Sequence, residues 1–139
     1  MALRCNPKRP TLLAIVTVAE IFAAANLTPC GPVAWGTPIP EKRPGVYLIQ
    51  VGGVTVYIGK TKRPLAQRLR EFYGHKYGNR APHRGGQLLL TLPGERSVYW
   101  AATDHFRIAE HLMLEAFAAA HGVLPIANKI RAIRERAAN

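Results

Sequence analysis

Two β-rich runs, Gly45 to Val51 and Val54 to Gly59, flank the pair Gly52-Gly53. That pattern reads as a β-hairpin, because glycines supply the positive φ a tight turn needs. Side-chain parity then constrains the pairing. Even positions Val46, Leu48, Val54, Val56 and Ile58 form one apolar face, and odd positions include Tyr47, Thr55 and Tyr57. A strict two-residue loop would set even against odd and turn the apolar residues to the wrong face. Placing Val46 opposite Ile58 and Leu48 opposite Val56 keeps the faces intact. That register needs an odd loop, such as a three-residue turn with a glycine bulge. It also sets Tyr47 opposite Tyr57, two phenols side by side on the face away from the hairpin's core residues. A plain aromatic cross-strand pair is the alternative reading.

The flanking segments place the hairpin in a domain. Residues 1–10 are basic and Pro-interrupted, a loose arm. Thr11 can cap an apolar helix running to about Ala25, which is too short to span a bilayer and carries Glu20. Pro29, Pro32, Pro38, Pro40 and Pro44 make residues 26–44 an extended connector, since such a density forbids helix and central strand. Pro64 sits near the first turn of a helix reaching about Tyr73. Residues 74–87 read as a surface loop, and Leu88 to Leu92 as a short strand or a helix end. Ser97 to Ala102 is a third strand. Asp104 or Thr103 caps a long helix to about His121, which Gly122 ends and Pro125 follows. Ile130 to Ala137 is a short basic helix. The fold class is therefore α+β (α/β): a small, mainly antiparallel three-stranded sheet flanked by helices, with an extra N-terminal helix. Residues 1–44 form an arm, helix and connector packed on a domain of residues 45–139.

Charge points to a partner. Of 139 residues, 19 are Lys or Arg and 8 are Asp or Glu, a net charge of +11. A polyanion is the expected partner. The shortage of acids, with Asp104 the one aspartate, argues against a site of clustered carboxylates. The positive residues Lys60, Lys62, Arg63, Arg68, Arg70, Lys76, Arg80 and Arg84 follow closely on one another, opposed only by Glu71. Phe72, Tyr73 and Tyr77 are interleaved, a mixture that suits phosphates and bases. A solvated basic face is the plainer reading. Arg68 lies next to Leu69 and three after Leu65, so its planar fork starts near the sheet and can hold a phosphate in two hydrogen bonds. Cys5 and Cys30 allow at most one bridge and no zinc set. With no export signal and no membrane span, a cytoplasmic location is expected.

One acid stands out on the long helix. Ile108, Leu112 and Ala119 make an apolar stripe, and Glu115 falls on it. Glu110 lies about 140° round the helix and reads as a solvated charge. An inward carboxylate needs a cation or a donor. A salt bridge to an arginine is one reading. A single hard divalent ion that keeps most of its water is the other, with His111 one turn away.

These residues together carry a resemblance. Gly45-Val46-Tyr47, nine residues, then Tyr57-Ile58-Gly59 resembles the signature of the GIY-YIG nucleases. Lys60 follows the second triplet, Arg68 stands in Leu65-Ala66-Gln67-Arg68-Leu69, and Glu115 ends Glu110-His111-Leu112-Met113-Leu114-Glu115. Pro125 and Asn128 match the family's Pro-then-Asn ending. The likeness runs from about Arg43 to Lys129. It implies metal-dependent hydrolysis of DNA phosphodiester bonds, on double-stranded or branched substrates. Tyr47 would be the general base or position the attacking water, with Tyr57 supporting it. Arg68 would hold the scissile phosphate, Lys60 would assist electrostatically, and Glu115 would ligate one Mg²⁺ or Mn²⁺. Gly59 and Asn128 would support the site, Asn128 by fixing the final turn. A phenol of reference pKa about 10 is a poor base at neutral pH, so Lys60 and the positive field would favour the phenolate. Phe72 stands where some members carry a further tyrosine, with Tyr73 and His75 close by. Lys62, Arg63, Arg70, Tyr73, His75, Lys76, Arg80 and Arg84 would bind nucleic acid. Two other readings stay open: a module of this fold that binds nucleic acid without cutting, and a basic RNA-associated structural protein. Base-specific recognition would need the N-terminal helix, the 74–96 loop and the basic C-terminal helix, or else a homodimer or a larger complex.

Overall fold

Gly52 and Gly53 both take positive φ, 59° and 82°, and close the hairpin in a two-residue turn. The structure, a computed structural model, describes residues 16–74 and 91–128. In chain order its elements are α1 (Val18–Ala23), β1 (Cys30–Ala34), β2 (Gly45–Val51), β3 (Val54–Thr61), α2 (Leu65–Tyr73), β4 (Arg96–Ala102) and α3 (Phe106–His121). The strands form one antiparallel sheet in the order β1-β4-β2-β3. The expected arm 1–10, loop residues 75–87, residues 88–90 and the terminal helix 130–137 lie outside the described residues.

The sheet has four strands, not the expected three. The additional strand is β1, inside the proline-dense connector. It sits at the edge, where Pro32 need not donate to a ladder, and its pairing with β4 is irregular between Cys30 and Val33.

The hairpin register also differs. Tyr47 faces Gly59, Leu48 faces Ile58 and Ile49 faces Tyr57; beyond Ile49, Gln50 faces Thr55 and Val51 faces Val54. The extra residue that parity demands is Val56 within β3, not a third loop residue. This bulge turns Val56 onto the same side as Tyr57, while Ile58 returns to the side of Val46 and Leu48. Val54, at the turn, is exposed.

Alternation along β2 divides the interior in two. Tyr47, Ile49 and Val51 pack with Tyr57, Val98 and Trp100 beneath Leu65, Leu69 and Phe72 of α2. Val46, Leu48, Ile58 and Ala101 pack on the other face with Ile21 and Phe22 of α1 and Ala109, Met113 and Phe117 of α3. The sheet is thus covered on both faces, and β2 is buried along nearly its whole length.

Local signals set the helix ends. Thr17 is the N-cap of α1, and the expected cap at Thr11 lies outside the described residues. The Thr17 hydroxyl accepts from the Glu20 N–H at 3.1 Å, and Glu20 Oε1 accepts from the Thr17 N–H at 2.9 Å. This reciprocal box satisfies two otherwise unpaired donors. α2 follows Pro64, and its Leu65 and Ala66 N–H groups donate to the Arg43 and Glu41 carbonyls, each at 2.9 Å. The connector is thereby fixed to the helix start. His105, not Asp104 or Thr103, is the N-cap of α3, and its N–H donates to the Thr103 hydroxyl. Gly122, with φ of 80°, ends α3 as expected.

Candidate functional site

The side alternation of β2 and β3 brings Tyr47 and Tyr57 together on the α2 face. Their ring centroids are 6.1 Å apart, and both rings meet Phe72 edge-on at 6.1 Å. They are diagonal neighbours rather than a directly opposed pair. They also line a core instead of facing away from one: Tyr47 is 0 % exposed and Tyr57 1 %. Gly59 makes the arrangement possible. A Cβ at that position would lie 2.6 Å from Tyr47 Cζ, 2.7 Å from its hydroxyl and 2.8 Å from Tyr57 Cε2.

Arg68 enters this cluster from α2. Its Nε donates to the Tyr47 hydroxyl at 3.3 Å, and its Cζ stands 5.5 Å from the centre of the Phe72 ring. Burial alone would lower the Arg68 pKa. The charge and hydrogen bond of Tyr47, with smaller contributions from Tyr57 and Glu71, outweigh it and hold the guanidinium above its ordinary value. Arg68 is therefore a permanent cation against two phenols. Its two Nη atoms bond no described residue, so a two-pronged donor remains for an oxyanion.

The other expected site residues lie elsewhere. Lys60 projects to the α3 face, opposite Tyr47 and Tyr57, where its Nζ donates to Glu110 Oε1 at 3.1 Å. The side chains are 28 % and 11 % exposed. The assignment of the two helix acids is therefore corrected. Glu110 is the inward acid, beside the stripe Ala109, Met113 and Phe117, and Glu115 is on the outward face with a side chain 67 % exposed. The stripe of Ile108, Glu115 and Ala119 faces solvent, and Ile108 itself is 62 % exposed. The signal that would have found Glu110 is the i, i+4, i+8 run Ala109-Met113-Phe117, with its bulkier residues late in the helix. Glu115 Oε2 lies 3.7 Å from His111 Nε2.

Asn128 joins the two faces. Its side-chain carbonyl accepts from the Ile58 N–H and its amide donates to the Ile58 carbonyl, each at 2.8 Å. It thus occupies the free edge of β3 and ties the segment after α3 to the second signature triplet. Ala127, next to it, packs in the core that holds the phenols.

The described part of the basic stretch is uneven. Lys62 and Arg70 are exposed. Arg63 is held by Glu71 through two bonds, Nη1 to Oε2 at 2.9 Å and Nη2 to Oε1 at 2.6 Å. This pairing holds the Glu71 carboxyl below its ordinary pKa, first through the Arg63 hydrogen bond. Tyr73 does not join Tyr47 and Tyr57; it packs against Trp35, with ring centroids 5.0 Å apart. Trp35, from the connector, was not among the expected site residues. His75, Lys76, Arg80 and Arg84 lie outside the described residues.

Among the described residues no group of three or more His, Cys, Asp and Glu side chains could hold a metal ion. None of their helices is long and apolar enough to cross a membrane. Scans against protein-family models, curated proteins and solved structures returned no match for the chain.

Proposed function

We propose that this chain is a metal-dependent endonuclease that hydrolyses DNA phosphodiester bonds through a site of the GIY-YIG kind. The observation that supports it is the Arg68 Nε on the Tyr47 hydroxyl, beside Tyr57 and over Gly59. A guanidinium that keeps its charge holds a phosphodiester oxygen and stabilises the charge that grows on phosphorus. The Tyr47 hydroxyl accepts from Arg68, so its own proton is directed elsewhere; buried as it is here, it would orient a water only where substrate opens the cluster. Tyr57 and Phe72 fix the Tyr47 ring. Phe72 brings no hydroxyl, so the phenol pair acts without a third member from α2.

The donor set fits an ion that keeps most of its water. Glu115 is one exposed carboxylate with one imidazole near it, and a largely hydrated Mg²⁺ asks for little more. Glu115 would hold that ion, which when bound supplies Lewis-acid stabilisation of phosphate oxygens. Lys60 is engaged by Glu110, so its part is to anchor α3 to β3.

One observation favours a second reading. Glu115 is on the outward side of α3, and α3 covers the sheet face opposite the phenols. A module that binds nucleic acid without cutting would need no convergence of Glu115 with Tyr47. One experiment separates the two. Purified chain is incubated with supercoiled plasmid, branched DNA and RNA, with and without Mg²⁺ or Mn²⁺, and products are end-mapped. Nicking of DNA that needs the metal is expected. Arg68→Ala and Glu115→Ala should each lower it by about a hundredfold or more with binding largely retained. Intact plasmid beside retained binding selects the second reading, and full cleavage by Glu115→Ala removes that residue from the chemistry.

A further inference from the structure

Positive charge gathers at one end of the sheet. Gly45 pairs with Thr61 at the end of the β2–β3 ladder, so residues 42–44 and 62–64 lie side by side beyond it. Two backbone bonds fix that contact. The Leu65 N–H donates to the Arg43 carbonyl and the Ala66 N–H to the Glu41 carbonyl, each at 2.9 Å. Lys42, Arg43, Lys62 and Arg63 are thereby brought to one corner at the start of α2, and all are exposed. Arg43 Nε is held by Glu41 Oε2 at 3.1 Å, and Arg63 is held by Glu71. Asp104 is a further acid within electrostatic range of Arg43. Lys42 and Lys62 form no ion pair with a described residue. The opposite end of the sheet has no such surplus: residues 50–55 and 94–97 hold one acid and one base, Glu95 and Arg96.

The corner breaks a local rule. A helix start carries partial positive charge, so acids stabilise it and bases oppose it. α2 has no acid in its first turn, and bases crowd its start instead. Lys42 and Lys62 are exposed, so packing does not require them. A rule broken without a structural gain marks a surface kept for a partner, and bases call for an anion. The Leu65 and Ala66 N–H groups are already taken by the connector, so the lysine side chains carry the site and not the helix end. The corner is also close to the phenol cluster. Lys62 follows Gly59, the residue against the Tyr47 hydroxyl, by three positions. That is roughly 10 Å of strand, or about three nucleotide steps along one DNA strand. We propose that Lys42 of the connector and Lys62 of the turn after β3 hold phosphates of the DNA strand whose scissile phosphate is on Arg68, about three nucleotides away. The connector is then part of the DNA-binding surface and not only a tether for α2. The proposal rests on the reading of the chain as a nucleic-acid enzyme, and it extends the surface to residues before the first signature triplet.

The test is fluorescence anisotropy of the full chain with a short DNA duplex at several salt concentrations. Lys42→Gln and Lys62→Gln should each lower the slope of log K against log salt by about 0.9, and the double variant by roughly 1.8. Lys42→Arg keeps the charge and should keep the slope. Arg107→Gln removes one charge from the far side of the sheet and should leave the slope unchanged. Urea midpoints of the lysine variants should equal or exceed that of the unaltered chain, because the helix start loses an opposing charge. An unchanged slope in either lysine variant, or a fall of equal size in Arg107→Gln, overturns the proposal. Plasmid nicking by the unaltered chain with Mg²⁺ is measured on the same preparation. Slopes that fall as expected without nicking sustain the surface and defeat the nuclease reading, whereas nicking with unchanged slopes defeats the surface alone.

Discussion

Gly59 shows how one residue serves both packing and chemistry. It faces Tyr47 across the hairpin, and the space a side chain would take is filled by the two phenol rings. Tyr47 and Tyr57 are fully buried, so neither ring can move aside. Gly59→Ala should therefore cost about 1–3 kcal/mol by overpacking, read as a lower urea midpoint. A midpoint equal to that of the unaltered chain would mean that the rings can relax. Tyr73 makes a separate prediction at the same scale. Its phenol is held neutral by burial, with a pKa raised from 10.0 to about 12. The unfolded chain releases that proton near 10, so this contribution is complete below pH 10 and disappears as pH climbs from 10 to 12. Over that window Tyr73→Phe should lose less stability than the unaltered chain, as urea midpoints on either side of it will report.

At the scale of elements, the edge of β3 is the decisive detail. An unpaired edge invites pairing with other chains, and Asn128 blocks it by supplying one acceptor and one donor to Ile58. Asn128→Ala should leave a buried N–H and a buried carbonyl unpaired, at about 2–4 kcal/mol, with faster exchange of the Ile58 amide. Asn128→Asp should not restore it, because a carboxylate has no donor for the Ile58 carbonyl. Unchanged exchange in either variant would show that water replaces the side chain. These elements also mark where the sequence was legible. Tight-turn glycines, the α2 span and the Gly122 stop were readable because each rests on local backbone chemistry. Parity required one extra residue in the hairpin, but nothing local distinguishes a long loop from a bulge at Val56. β1 was hidden because proline density reads as connector, and only neighbours in space show that this stretch is an edge. The α3 face was misread because Ile108 and Leu112 are more apolar than Ala109, and because the cation for Glu110 comes from Lys60, 50 residues away in sequence. Tyr47, Tyr57 and Arg68 meet because alternation on strands and i, i+3 spacing on α2 are local rules, but the register makes the phenols diagonal and buried in a core rather than directly opposed and facing away from one.

At the scale of the molecule, the two-sided sheet separates charge as well as core. The basic stretch starts at the end of β3 and continues through α2, so its described part, apart from Lys60 on the α3 face, belongs to the phenol face. α3 covers the other face and carries Arg107 among exposed residues. If DNA docks on the α2 side, the salt dependence of binding should follow that division. Each phosphate contact contributes a slope of about 0.9 to log K against log salt. Reversing charge at Arg70, Lys76 and Arg80 together should lower the slope by roughly 2 to 3. Arg63→Ala should change it little, since Glu71 already takes that guanidinium in two bonds. Arg107→Glu should leave it unchanged, because that charge lies across the sheet. Anisotropy titrations of a short duplex at several salt concentrations measure all three. A slope that falls for Arg107→Glu and not for the triple reversal would place DNA on the α3 face. That outcome would put Glu115, and not the Tyr47–Arg68 pair, nearest to the phosphates, and the division of labour between the two faces would have to be exchanged.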